Sequence, residues 1–278
     1  MSSLLEIQYG ITPYDPAFDF VLKEGLRGTS RSEFLQDEPD NNVIEGFGGN
    51  DVLHVDAGND VVRGGGGQDL VSFVHPYSAQ PAIRQRKGVF VNLKRGVATD
   101  FYGGKNRLHS IEDVEGTLSR DEIIGSKSAN VLAGSDGDDK ILGLDGDDLL
   151  YGGAGKDFLV GGRGSDRFFY ASPTQGKDRI EGFTSGVDEF LINGREFLLD
   201  SYPVGYPTGY PIEAIGTLSE ERFFLGSSAR KDGQLFGYDP TNSTIIFDSN
   251  GKNRGGVHVL ATLQGGSSSL EASDIRVV

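Results

Sequence analysis

The chain contains no cysteine, which excludes disulfides and thiol chemistry. No stretch approaches the roughly 18 consecutive apolar residues of a membrane-spanning helix. Basic residues are few, 26 Lys and Arg against 41 Asp and Glu, for a net charge of -15. That imbalance argues against nucleic acid or an anionic membrane as partner and suits divalent cations. The opening residues, MSSLLEIQYGITPYDPAFDF, show neither a basic leader nor an apolar run of signal-peptide length, so no Sec-type leader is expected. Catalytic signatures are missing as well. None of His54, His75, His109 and His258 is followed by Glu as a zinc-protease helix requires, and there is no GxSxG, Walker A or GxGxxG segment. Outside the periodic positions described next, no carboxylates form a recognisable acid/base pair.

Glycine is abundant, 42 residues against 10 prolines, and its spacing is regular, unlike that of a disordered linker. Residues 116–169 hold one nine-residue phrase six times without a break: GTLSRDEII, GSKSANVLA, GSDGDDKIL, GLDGDDLLY, GGAGKDFLV and GGRGSDRFF. Gly opens every unit, from Gly116 and Gly125 to Gly161. The sixth place is Asp121, Asn130, Asp139, Asp148, Asp157 or Asp166, and the eighth is Ile123, Leu132, Ile141, Leu150, Leu159 or Phe168. The fourth place is Ser119 and Ser128, then Gly137, Gly146, Gly155 and Gly164.

Glycine at places one and four opposes a helix, at about 1 kcal/mol per residue relative to Ala. The phrase reads instead as a tight turn followed by a three-residue strand whose middle side chain points inward. Two units make one coil, and coils stack so that each buries its apolar face only against its neighbours. Stacking sets Asp121 beside Asp139, Asp139 beside Asp157, Asn130 beside Asp148 and Asp148 beside Asp166. Such carboxylates repel unless a cation separates them, and calcium, with adaptable all-oxygen coordination, suits the gap.

The same frame starts earlier, at Gly28, and runs to Ser72. Its first two units are degenerate, with Glu33 and Asn42 at place six. The next three carry Asp51, Asp60 and Asp69 above Leu53, Val62 and Val71. One good site is expected between the turns of Asp51 and Asp69, and a weaker one pairing Asn42 with Asp60. Residues 1–27, rich in apolar and aromatic side chains, are expected to cap the open end. Residues 73–115 break the frame. They contain the densest basic stretch, with Arg84, Arg86 and Lys87, which reads as a solvated loop, and then GVFVNL, which alternates like a strand.

Past residue 169 the frame stops. GKDRIEGFTSGVDEFLING suggests two short strands around a Gly turn, QLFGYDPTNSTIIFDSNG a hairpin turning at DPTNS, and VHVLATL a further strand. Residues 202–211 place Tyr202, Tyr206 and Tyr210 before prolines, which reads as an extended exposed loop.

The GGxGxDxUx phrase resembles the calcium-binding repeat of the RTX, or haemolysin-type, family. The resemblance implies an all-β, right-handed parallel β-roll over 28–169, interrupted by an excursion at 73–115. It also implies a β-rich C-terminal capping and secretion module over 170–278. It further implies carbonyls from places one and three plus the Asp of one turn, meeting carbonyls from places two and four plus the Asp of the next. On this chain the implied donors are Gly49, Asp51, Asp60, Gly64, Gly67 and Asp69 in the first block. In the second they are Asp121, Asn130, Gly134, Asp136, Gly137, Asp139, Gly143, Asp145, Gly146 and Asp148, then Gly152, Ala154, Gly155, Asp157, Gly161, Gly162, Gly164 and Asp166. Roughly four to six Ca2+ ions are expected.

The leading expectation is a secreted, extracellular calcium-binding protein without a catalytic domain, exported transiently through type I secretion machinery, with a cell-surface glycan as a further candidate partner. Two other readings stay open: an enzyme acting on polysaccharide along the solenoid face, and an adhesion or matrix component using the Tyr-Pro loop.

Overall fold

The computed structural model describes residues 20–21, 26–74, 87–194, 197, 216–230, 235–249, 256–266 and 269–278. Most of the expected N-terminal cap, the basic stretch through Arg84 and Arg86, and the Tyr-Pro loop lie outside the described residues. Those described are almost entirely strand and turn. The only helical turns among them are short 3-10 segments at Leu93–Arg95, Glu220–Arg222 and Ala272–Asp274.

The nine-residue phrase folds as its spacing predicts, into alternate strands of two facing parallel sheets that together make a β-roll. One sheet contains, in spatial order, Phe34–Gln36, Val52–His54, Leu70–Ser72, Asp113–Glu115, Val131–Asp136, Leu149–Ala154, Arg167–Tyr170, Glu189–Ile192 and Ile275–Val277. The other contains Val43–Gly48 and Val61–Gly66, then Glu122–Ile124, Lys140–Asp145, Phe158–Arg163, Asp178–Glu181 and Val257–Gln264. Register is exact to the repeat: Leu132 pairs with Leu150, and Ile141 with Leu159. Several strands are longer than the three residues expected. Val131–Asp136 and Phe158–Arg163 run on into places one to three of the following unit, because those places also align between coils.

Eighth-place side chains from both sheets meet in the middle. Leu132, Ile141, Leu150 and Leu159 are at most 1% exposed, each contributing about 1.5–3 kcal/mol from burial. The outer faces differ. One carries a ladder of charges, with Arg63 bonded to Glu45 at 3.2 Å and Lys140 to Glu122 at 2.8 Å. The other is apolar and buried, with Val131, Ala133, Leu149, Phe169 and Leu191 in one cluster.

Two features exceed the expectations. Besides Asp113–Glu115, the excursion holds three strands linked antiparallel, Phe90–Asn92, Val97–Thr99 and Lys105–His109, where GVFVNL predicts only the first. The first runs parallel beside Glu122–Ile124 and the last parallel beside Val61–Gly66, so three strands take one strand's place in that sheet. Across the roll, Leu70–Ser72 pairs directly with Asp113–Glu115. The coil also outlasts the frame, since Asp178–Glu181 and Glu189–Ile192 continue both sheets in parallel register. The hairpin turning at DPTNS is present, Phe236–Asp239 against Thr244–Asp248, with the Asp239 carboxylate accepting from the Thr241 N–H at 3.0 Å.

Candidate metal centres

Each sixth-place aspartate spends one oxygen on the coil before it. Asp139 Oδ1 accepts from the Asp121 N–H at 2.8 Å, Asp157 Oδ1 from Asp139 at 2.8 Å, Asp148 Oδ1 from Asn130 at 2.8 Å and Asp166 Oδ1 from Asp148 at 3.0 Å. In the first block Asp51 accepts from Glu33, and Asp69 from Asp51, both at 2.9 Å. These bonds fix the acids in two columns along the corners of the roll.

The second oxygen has a different fate. Oδ2 of Asp51, Asp60, Asp69, Asp139, Asp148 and Asp157 is buried and has no hydrogen-bond partner. A buried acceptor left unmade costs about 1–3 kcal/mol, more when charged. Each of Asp51, Asp69, Asp139, Asp148 and Asp157 aims Oδ2 at the first-place glycine of its own turn, where a Cβ on Gly46, Gly64, Gly134, Gly143 or Gly152 would overlap it. Glycine at place one therefore leaves room for the carboxylate oxygen. Burial, reinforced by neighbouring acids, pushes Asp139 up to about 8 and Asp51, Asp148 and Asp157 up to about 7. Burial likewise raises Asp69 and Asp166 to about 6. Without a cation these groups resist ionising, since burial strips the charged form of water and neighbouring acids add repulsion.

Main-chain oxygens line up beside them. In the turns opening at Gly46, Gly64, Gly134, Gly143, Gly152 and Gly161, places two and four both have left-handed φ; for Leu144 and Gly146 the values are 88° and 118°. This geometry aligns the carbonyls between coils: those of Ser135 and Gly137 point at Gly153 and Gly155 so closely that a Cβ there would overlap them. Third-place carbonyls also join the ladder, with Ala154 accepting from the Gly137 N–H at 2.8 Å. The side chains of Asp136 and Asp145 stay partly exposed, leaving their main-chain oxygens as the groups in the column. The donor set is thus carboxylate and carbonyl oxygen, which suits calcium. Among the described residues no three Asp, Glu or His side chains gather at one point, as expected where carbonyls supply much of the coordination.

Other sixth-place residues are held within their own turns. Asp121 Oδ2 accepts from the Thr117 N–H at 2.6 Å, and its Oδ1 from the Thr117 hydroxyl at 2.9 Å and the Val89 N–H at 2.6 Å. Asn130 Oδ1 accepts from the Ser126 N–H at 2.7 Å, and Asn130 Nδ2 donates to the Glu112 carbonyl. Glu33 is satisfied by the N–H and hydroxyl of Thr29.

Four residues that sequence reasoning missed extend the columns. Asp157 N–H donates to Asp178 Oδ1, Asp166 N–H to Asp188 Oδ1, Asp69 N–H to Glu112 Oε2 and Asp60 N–H to Asn106 Oδ1, at 2.8–3.0 Å. One signal remained in the sequence: each stands two places before a buried apolar residue, Ile180, Phe190, Val114 or Leu108.

The RTX calcium-binding nonapeptide repeat matches this chain in four copies, over residues 27–62, 45–72, 115–148 and 134–168. No curated protein matches it. Solved structures similar to it include a subunit of the Azotobacter vinelandii mannuronan C5-epimerase, AlgE6R3, at 23% identity and TM-score 0.34, covering 57% of this chain and 78% of that one. Another is the extracellular lipase LipA from Serratia marcescens, at 15% identity and TM-score 0.30, covering 90% of this chain and 39% of the lipase. The chain thus carries four RTX calcium-binding nonapeptide repeats, matched across the turns that stack their aspartates.

Proposed function

We propose that this chain is a secreted, non-catalytic calcium-binding protein whose roll completes its folding only where calcium is plentiful. The observation that carries this reading is the pair of columns of buried carboxylate oxygens without partners. Asp51, Asp69, Asp139, Asp148 and Asp157, with the aligned turn carbonyls, would hold the ions. Bound calcium would supply the positive charge that these oxygens lack.

Linkage gives the scale. Each site filled at a hundredfold excess over its dissociation constant adds about 2.7 kcal/mol, so four give roughly 11 kcal/mol. That is comparable to the total stability of an ordinary domain, about 5–15 kcal/mol. Extracellular calcium modules bind at about 10⁻⁴ to 10⁻³ M, so cytosolic calcium would leave such sites empty. A chain kept open inside the cell suits threading through a type I exporter, and external calcium then drives closure.

Circular dichroism in excess chelator and in millimolar calcium tests the reading. The expected outcome is a weak β signal in chelator that rises to a full β spectrum on adding calcium, with a large rise in melting temperature. A full β spectrum in chelator, unchanged by calcium, would end it.

A further inference from the structure

The segment that breaks the repeat frame also shapes a cleft. Its turn at 100–104 stands against residues 87–90 and against the roll at 120–122 and 140, enclosing about 410 Å³ lined by Lys87, Phe90, Phe101, Tyr102, Arg120 and Lys140 among others. That volume falls within the roughly 300–1,000 Å³ of ordinary ligand pockets. Of the sixth-place aspartates only Asp121 lines it, and Asp121 belongs to a closed turn.

The acids of the lining are already engaged, and two of its cations are not. Asp100 is buried, and its carboxylate accepts from the Tyr102 and Gly104 N–H groups at 2.8 and 2.9 Å and from Asn106 Nδ2 at 3.3 Å. Asp121 is taken by Thr117 and Val89, and Glu122 by Lys140 at 2.8 Å. Lys87 and Arg120 are exposed, and among the described residues no carboxylate pairs with either. The rings complete the surface. Tyr102 is 51% exposed, its ring centroid 4.1 Å from that of Phe101, which packs against the core. Gly103, at a φ of 98°, closes the turn that presents the pair.

From the cleft a row of side chains continues across the outer face of the sheet. Phe90, Glu122, Lys140, Phe158 and Arg179 stand opposite one another on five adjacent strands. At about 4.8 Å per strand the row spans roughly 19 Å. The Arg179 guanidinium lies 4.0 Å from the Phe158 ring centroid, so rings and charges alternate along a partly exposed track.

We propose that the cleft and this row bind an acidic polysaccharide, a chain of sugar rings that carry carboxylates. Arg120 and Lys87 hold a ring carboxylate through charge-assisted hydrogen bonds. The exposed faces of Tyr102 and Phe90 carry the C–H faces of the sugars, which the negative face of an aromatic ring attracts. Thr99, the Tyr102 hydroxyl and Glu122 offer partners to sugar hydroxyls. Nucleic acid binding draws on many phosphate contacts, and two free cations beside Glu122 supply too few. The site uses none of the oxygens that the open turns leave unpartnered, so it goes beyond the calcium-binding reading.

Isothermal titration calorimetry of the full chain in millimolar calcium tests this, with a short oligogalacturonate as probe and its methyl ester as the uncharged control. The wild type should bind the acid at least about tenfold more tightly than the ester, the scale of one hydrogen bond to a charged group. Arg120→Gln should lose about that factor toward the acid and little toward the ester, and Lys87→Gln should do the same from the other side of the cleft. Tyr102→Ala should weaken both ligands, since stacking does not depend on the carboxylate. Lys127→Gln, at an exposed cation outside the cleft, should bind like the wild type. The four substituted side chains are exposed, so the variants should melt with the wild type, which separates lost binding from misfolding. A wild type that takes up calcium but not the acid, equal affinity for acid and ester, or an equal loss in Lys127→Gln overturns the site and leaves the calcium reading intact. Tighter binding of a short single-stranded oligonucleotide than of the oligogalacturonate would overturn the assignment to sugar acids.

Discussion

The turns opening at Gly116 and Gly143 share a glycine at place one and an aspartate at place six, yet they dispose of the carboxylate in opposite ways. At 116–121, Thr117 takes both oxygens of Asp121 through its N–H and hydroxyl, and Thr117 Oγ1 accepts from the Ser119 N–H at 3.1 Å. The turn is closed on itself. At 143–148, Leu144 and Gly146 turn left-handed and Asp148 keeps Oδ2 buried without a partner. Two residues, at places two and four, thus decide whether the acid caps its own turn or waits for a cation. Equal acid content thus leaves one carboxylate satisfied within its turn and the other with a buried oxygen unmade.

The largest effect that would break or sharpen this contrast is the pH dependence of the roll without metal. The open-turn acids have folded-state pKa values raised above the ordinary carboxylate value near 3.8, to about 8 for Asp139 and about 7 for Asp51, Asp148 and Asp157. A raised acid pKa means that the folded state holds more protons than the unfolded one, so stability is highest below pH 4 and falls as pH rises toward 8. In excess chelator the roll should melt higher at pH 5 than at pH 8. In millimolar calcium the order should reverse, because protons then compete with the ion. Thermal melts at the two pH values check both signs; a chelated roll that gains stability toward pH 8 would mean the open acids are satisfied in some other way.

A paired substitution gives the next largest effect. Asp148→Asn removes an uncompensated buried charge, so it should raise the melting temperature in chelator and lower it in saturating calcium, where a ligand is lost. Asp121→Asn should lower it in both. Asp121 accepts from Val89 and twice from Thr117, and an amide offers only one acceptor oxygen, leaving a buried donor unmade at about 1–3 kcal/mol. Matching signs for the two variants in chelator would dissolve the distinction between the turns.

Much of this was legible in the sequence because the period is a local property. The phrase length gives two strands per coil, and the eighth-place apolar residues give the core. The sixth-place acids fall into columns from spacing alone. What was not legible depends on contacts between coils. Asp178, Asp188, Glu112 and Asn106 stand 21, 22, 43 and 46 residues from their partners instead of 18, so no fixed frame finds them. Place two shows the same limit. Gly153, Gly162 and Gly65 have no alternative, since the carbonyls of Ser135, Leu144 and Phe47 in the coil before would overlap a Cβ. Ser135, Leu144 and Phe47 keep side chains at left-handed φ of 84°, 88° and 73°; each follows a turn closed by Thr117, Ser126 or Thr29. Glycine at place two is required by the turn before it, a relation visible only once the coils are stacked.

The smallest expected effect isolates the closing hydroxyl. Thr117→Ala removes the Oγ1 bond to Asp121 and the acceptor for the Ser119 N–H but keeps the Thr117 N–H bond to Oδ2, so about 1 kcal/mol should be lost. Thr117→Ser retains the hydroxyl and should recover most of it. Because the closed turn is satisfied without metal, calorimetric melts should show the same loss in calcium and in chelator. A loss confined to calcium would place turn 116–121 with the open turns, and the Thr117 hydroxyl would then be positioning Asp121 for an ion in the slot it shares with Asp139, with self-capping only incidental.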